Sequence, residues 1–247
     1  MGCRRVYLSG TLGRMLLWLS PEEWVVLGLS ARVAFCCAVA VSIPGIACGW
    51  LLARTRFPGK SLVDALLHAP LVMPPVVTGY LLLVLLGRRG LFGQFLFNHF
   101  GMTFAFTWKA AVIASAVMAF PLMVRAVRIA IEMADPKLEA AARCLGASPL
   151  RTFLTITLPL ARPGIITGLV LAFARSLGEF GATIVFAGNI QGETRTLPLA
   201  VYSYMQSSGG DAAALRLVLV SILLSLGALV VSEIMSRRYS HIERVVE

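Results

Sequence analysis

Apolar residues along this chain gather into five long runs separated by polar, mostly basic stretches. The runs are Val33 to Ala53, Ala65 to Leu86, Met102 to Val124, Gly164 to Ala187 and Ala212 to Met235. A helix needs roughly 20 residues to cross the hydrocarbon of a bilayer, and each run has about that length. Unpaired backbone groups are costly in lipid, so the runs predict helices and not irregular crossings. The first is free of charge and the second carries only His68. Lys109 lies near the start of the third, where a long side chain can reach the interface. Arg175 and Glu179 fall inside the fourth, and Arg216 and Glu233 near the ends of the fifth. The fold class expected is all-α integral membrane, with about five transmembrane helices.

Composition agrees with that reading. Of 247 residues, 58% are hydrophobic and 14% charged, too few charges to cover the surface of a water-soluble domain. Intrinsic disorder is excluded by the same apolar fraction. The net charge of +10 sits between the apolar runs, as expected beside anionic headgroups, and no basic face with interleaved aromatics points to nucleic acid. Cys36, Cys37 and Cys48 share one apolar run and read as small packing residues, not a disulfide framework. His68, His99 and His241 are far apart and no CxxC is present, so no metal site is expected.

Residues 1–23 are basic and polar around a short run, Met15 to Leu19, too short to span; they are expected to form an interfacial or disordered leader, with Met15 an alternative start. Residues 24–237 then form the membrane domain and 238–247 an inner tail. Basic residues concentrate in the stretches from Arg54 to Lys60, Arg125 to Arg162 and Arg237 to Arg244. That bias puts these stretches in the cytoplasm, the amino end outside and the carboxyl end inside. The opposite loop, Gly87 to Thr107, carries Phe92, Phe95, Phe97, Phe100, Phe104 and Phe106 and suits an aromatic belt at the interface.

The inner insert of about 132–162 can be read residue by residue. Asp135 followed by Pro136 is a cap followed by a first-turn proline. The helix so opened runs through Glu139 and the alanines to Gly146, which suits the left-handed position after a helix end. Ser148 and Pro149 repeat the start signal, Leu150, Phe153, Leu154 and Thr157 fall on one face, and Pro159 is expected to stop the second helix. Two short helices with a sharp turn follow. Such an element either covers the ends of the membrane helices or projects toward a partner, its small alanines fitting a groove.

Within this insert Glu139, Ala140, Ala141, Gly146, Ala147, Ile156, Leu158 and Pro159 resemble the EAA loop of ABC importer permeases. The Gly, Ile and Leu-Pro spacing matches; Glu139 stands seven positions before Gly146 where the general pattern has six, so Ala140 occupies the usual acidic place. The segments RFPGK (Arg56 to Lys60), APLVMPPVVTGY (Ala69 to Tyr80), FPLMVRAVR (Phe120 to Arg128), FARSLGEFGAT (Phe173 to Thr183) and GNIQGETRTLP (Gly188 to Pro198) are similar to the molybdate-permease family. The resemblance covers nearly all of Trp24 to Glu233. It implies a type I ABC importer permease in the inner (cytoplasmic) membrane, paired with a second copy of itself. It also implies a cytoplasmic ABC ATPase dimer and an extracytoplasmic molybdate-binding protein as partners. Tungstate and sulfate, the other tetrahedral dianions, are the alternative cargoes.

Charges and prolines inside the runs give the candidate path. Arg175 and Glu179 stand four apart and can pair on one face. They either neutralise one another within the bundle or face the central path, Arg175 favouring a passing dianion and Glu179 limiting its stay. Pro74 and Pro75 must bend the second helix, forming a gate near Thr78 or simply fitting neighbouring helices. The pairs Gly45/Gly49 and Gly164/Gly168 suit close helix contacts. No GxxxxGK[ST] loop is present, so the chain is expected to be no enzyme and to bind no cofactor, with ATP and magnesium held by the partner ATPase. A self-contained channel or secondary transporter is the lesser alternative, since only Glu179 offers an acidic relay deep in a span.

Overall fold

The structure is a computed structural model and describes residues 19–243; residues 1–18, which include most of the expected leader, and 244–247 lie outside the described residues. Helix α1, Pro21–Arg54, opens with a capping box: Ser20 accepts from the Glu23 amide, and the Glu23 carboxylate accepts from the Ser20 amide at 2.6 Å. The expected leader therefore ends earlier than Glu23. That residue is fully buried, because Arg216 reaches its carboxylate at 2.9 Å.

The second run is broken. Helices α2, Lys60–Val72, and α3, Pro75–Leu86, meet at an angle of 111°. Pro74 is extended at ψ 130° and Pro75 occupies the first turn of α3, where its missing amide is not needed. In the loop from Gly87 to Thr107, α4 spans Leu91–Phe100 and leaves Phe92, Phe95 and Phe100 exposed. The third run is displaced from its expected position: α5 is Trp108–Met133, not Met102 to Val124. Before it, Gly101 and Phe106 both take positive φ, and the Phe106 amide donates to the Phe186 carbonyl. After Val124 the helix continues through charges that find partners, Arg128 with Glu132 and Asp64. Arg125 and Arg128 thus lie within a membrane helix and not in the inner loop.

The inner insert holds α6, Pro136–Cys144, and α7, Pro149–Leu160. Pro159 does not stop α7. A π-turn over Phe153–Thr157 precedes it, and the shifted carbonyls accommodate the proline ring, so the chain bends only at Ala161, by 68°, into α8, Arg162–Leu177. The fourth run breaks again after α8, resuming as α9, Gly181–Phe186. Helix α10, Leu197–Met205, leads to α11, Asp211–Glu243, so the segment expected as a tail from 238 is helical as far as Glu243. No strand occurs among the described residues. Helices α1 and α5 are each long and apolar enough to cross a membrane, and the bent pairs α2–α3 and α7–α8 pass only when each pair is taken together.

Three helices form the centre. Cys37 and Val41 of α1, Met123, Val127 and Ile131 of α5, and Ala172 of α8 are buried together. Glycine makes the approach possible. A Cβ on Gly45 would stand 2.5 Å from Met123 Cγ, and one on Gly49 2.8 Å from Val127 Cγ1. On α8, Gly164 and Gly168 press on Ala130 and Met123 in the same way. Both small-residue pairs are contacts onto α5, where lipid supplies no hydrophobic drive and close packing must. Gly45→Ala is expected to cost about 2–3 kcal/mol, because the new Cβ would meet Met123 Cγ and Cβ at the root of a fully buried side chain that Gly168 also presses, so α1 and α5 must shift slightly. Unfolding in detergent followed by circular dichroism checks this; a loss several times larger would show that α1 and α5 cannot adjust.

At the other end Ala110, Ala114 and Met118 of α5 enclose Ala182 and Phe186 of α9, with Leu82 and Leu86 of α3 against them. The last cluster joins Val26 of α1 to Leu197 and Ala200 of α10 and Leu217 of α11. Ser30 fastens it, accepting from the Leu197 amide at 2.7 Å.

Candidate functional site

The inner projection is built by local signals that the chain carries in order. Asp135 accepts from the Lys137 amide and opens α6. Its end is a Schellman turn: Gly146, at φ 85°, donates to the Arg143 carbonyl and Ala147 donates to that of Ala142. Ser148 then accepts from the Arg151 amide and opens α7.

Glu139 locks the two helices to the bundle. Its Oε1 accepts from Arg54 Nε at 3.0 Å and from the Thr157 hydroxyl at 2.9 Å. Arg54 Nη2 also donates to the Ala134 carbonyl at 3.1 Å. One carboxylate and one guanidinium therefore tie together the end of α1, the end of α5, α6 and α7. With side chains 16% and 10% exposed, Arg54 and Glu139 form a largely dry pair, so removing either would leave the other's charge buried without its partner. Trp50 packs edge-on against Phe153 at 5.6 Å and braces the same corner. Despite its offset from the general spacing, Glu139 makes an interhelical salt bridge.

Of the other residues expected in the coupling loop, Ala140, Ala141 and Gly146 are exposed, and Ala147, Ile156, Leu158 and Pro159 are half-buried. Leu145 and Leu150, 90% and 68% exposed, flank the turn and point away from the chain. A tip of small residues flanked by two exposed leucines results, tethered to the bundle through Glu139.

The path candidates come together at a second place, a joint between two breaks. Gly79 of α3 faces Ala182 of α9 so closely that a Cβ would lie 2.6 Å from the Ala182 carbonyl oxygen. Gly181 returns the contact, 2.7 Å from Pro75 Cβ by the same measure. The break at Pro74 and Pro75 thus rests on the break between α8 and α9, and Thr78 is buried beside it. Glu179 lies past the end of α8, not on one helix with Arg175. The pair forms all the same, Arg175 Nη1 to Glu179 Oε2 at 2.7 Å. Glu179 Oε1 accepts from the Ala182 amide at 2.9 Å, which helps fix the direction of α9. The Glu179 side chain is 1% exposed and that of Arg175 27%, so only the arginine presents surface.

Arg54, Thr157, Gly79 and Gly181 are the site residues that sequence reasoning missed. Their partners lie far along the chain; Arg54 and Glu139 are separated by 85 positions. A basic residue in the last turn of α1 and a threonine on the buried face of α7 were the available signals.

Among the described residues the chain is an all-helical bundle with interrupted apolar spans and a tethered projection, the architecture of a membrane-embedded protein. Residues 45–241 match the family described as binding-protein-dependent transport system inner membrane component, and the chain belongs to that family. It is 58% identical over 220 residues to the molybdenum transport system permease protein ModB of Escherichia coli (strain K12), covering 89% of this chain and 96% of that protein. To ModB of Haemophilus influenzae it is 59% identical over 189 residues, 76% of this chain and 82% of that protein. The sulfate transport system permease protein CysT of Salmonella typhimurium is 36% identical over 195 residues, 79% of this chain and 70% of that one. Among solved structures, the MetNI methionine ABC transporter in inward facing conformations matches with a TM-score of 0.69 at 19% identity, covering 89% of this chain and 98% of that one. A bacterial ABC transporter that imports alginate matches at 0.67 and 16% identity, covering 90% and 82%. At such identities the likeness is one of fold: that of ABC importer permeases.

Proposed function

We propose that this chain is the membrane permease of an ATP-driven molybdate importer, working as a homodimer on two cytoplasmic ATPase subunits and fed by an extracytoplasmic binding protein. The observation that carries this reading is the projection tethered through Glu139 to Arg54 and Thr157, with Ala140, Gly146 and Leu145 left exposed at its tip. A loop fixed this firmly is suited to transmit force from a partner to the membrane helices. The amino end faces outside and the projection faces the cytoplasm, in line with the basic residues around it. ATP and magnesium belong to the ATPase.

Molybdate is favoured over sulfate because identity to the molybdenum permease of Escherichia coli, 58%, far exceeds the 36% to the sulfate permease of Salmonella typhimurium. Tungstate, equal in charge and shape, shares the route. Arg175 is the cation that a dianion meets at the helix joint, and Glu179 positions it. A permease that receives captured cargo needs only a weak site of this kind, and motion of rigid half-helices about the breaks opens it alternately to either side.

The test is reconstitution of the chain with its ATPase and binding protein in vesicles, measuring uptake of labelled molybdate, tungstate and sulfate. Uptake of the first two, dependent on ATP and on the binding protein, is expected. Uptake that persists without the ATPase, or that favours sulfate, would overturn the reading.

A further inference from the structure

Helix α2 is held to the rest of the chain in an unusual way. It buries no residue within the chain, and Leu62, Leu66 and Val72, 65%, 65% and 88% exposed, point away from it. Among the described residues, Asp64 is its only side chain bonded to another helix: Arg128 Nη1 of α5 donates to Asp64 Oδ1 at 3.1 Å. Arg128 is aimed by its own helix, since its Nε donates to Glu132 Oε1 at 2.8 Å. His68 closes the group, with Nδ1 3.5 Å from Asp64 Oδ1.

Position gives this pair its significance. Arg128 stands two turns before Ala134, whose carbonyl accepts from Arg54, the residue that also binds Glu139 of the projection. Asp64 stands on the half-helix that leads through Pro74 and Pro75 into α3, and α3 rests on α9 through Gly79 and Ala182. Resting on the reading of the chain as an importer permease, we infer that the Asp64–Arg128 ion pair is the link that carries motion of the coupling loop and α5 to the broken α2–α3 helix. Asp64 and Arg128 are positioning residues that act through α2. Packing along α2 is loose, with Leu67, His68, Ala69 and Pro70 only half-buried, so the ion pair is its one directional tie to α5 among the described residues. With the Arg128 side chain 27% and that of Asp64 35% exposed, the pair contributes little to stability, so its loss should spare the fold and strike the linkage.

The complete importer, reconstituted in vesicles with its ATPase and binding protein, tests this through ATP hydrolysed per molybdate taken up. Asp64→Asn and Arg128→Gln are expected to lower uptake about tenfold while hydrolysis continues, a loss of coupling of ordinary size. Asp64→Glu, which keeps the charge, should restore most of the uptake. An unchanged ratio in Asp64→Asn would overturn the inference. So would equal loss of hydrolysis and uptake, failure to assemble with the ATPase, or a defect in Asp64→Glu as deep as in Asp64→Asn. Failure of the unaltered importer to accumulate anion would instead remove the functional reading itself.

Discussion

Glu139→Ala should reduce ATP-driven anion uptake by about a hundredfold and loosen the projection without unfolding the membrane helices. The carboxylate accepts from both Arg54 and Thr157, and its removal leaves a largely buried guanidinium with only the Ala134 carbonyl. Breaking a pair so dry by deleting one member costs about 3 kcal/mol, which at 1.4 kcal/mol per decade is about two decades in the docked fraction. The melting temperature should change little, since the packed contacts among α1, α5 and α8 remain. Arg54→Ala should behave alike, and the double variant should be scarcely worse than either alone, because the two residues act as one unit. Glu139→Gln, which keeps a single acceptor oxygen, should fall between. Uptake and co-purification of the ATPase measure the effect; wild-type rates in Glu139→Ala would remove the projection from the mechanism.

The parts of this architecture that were legible in the sequence are those written in local backbone chemistry. Asp135 with Pro136, Ser148 with Pro149, and Gly146 each declare a helix end by what a backbone can do at that residue, and each is found there. The glycine pairs were equally plain, since small residues four apart on an apolar helix have few other uses. Illegible were features decided by distant partners. An apolar run looks the same whether it is straight or broken: Pro74 and Pro75 marked the bend of the second run, found at 111°, but no such residue marked the interruption after Leu177. Hydropathy ended the third run at Val124, yet α5 continues to Met133 because Arg128 meets Asp64 and Glu132. Pro159 read as a stop because a proline normally clashes with the preceding turn, a clash that the π-turn relieves. Motif spacing left Glu139 displaced by one position; its true measure is the distance to Arg54, which no spacing reports.

Gly79→Val, at the α3–α9 joint proposed as the path, is expected to abolish uptake while leaving the projection, and hydrolysis by the attached ATPase, in place. A Cβ at this position would stand 2.6 Å from the Ala182 oxygen and 2.8 Å from its Cα, both backbone atoms that no rotamer change can move aside. Helix α9 cannot retreat either, being packed between α3 and α5 and held by the Glu179 carboxylate on the Ala182 amide. The cost therefore falls on the α3–α9 contact, roughly 3 kcal/mol, at the upper end of what overpacking ordinarily exacts. Gly181→Ala presses on Pro75 Cβ at 2.7 Å from the opposite side of the joint and should give a milder form of the same defect. The contrast with Gly45→Ala, whose new Cβ would meet a side chain and no backbone atom closer than 3.9 Å, separates a clash with backbone from one that repacking can relieve in part. If Gly79→Val takes up molybdate at the normal rate, the two breaks are a matter of packing alone and the moving part of the permease lies elsewhere.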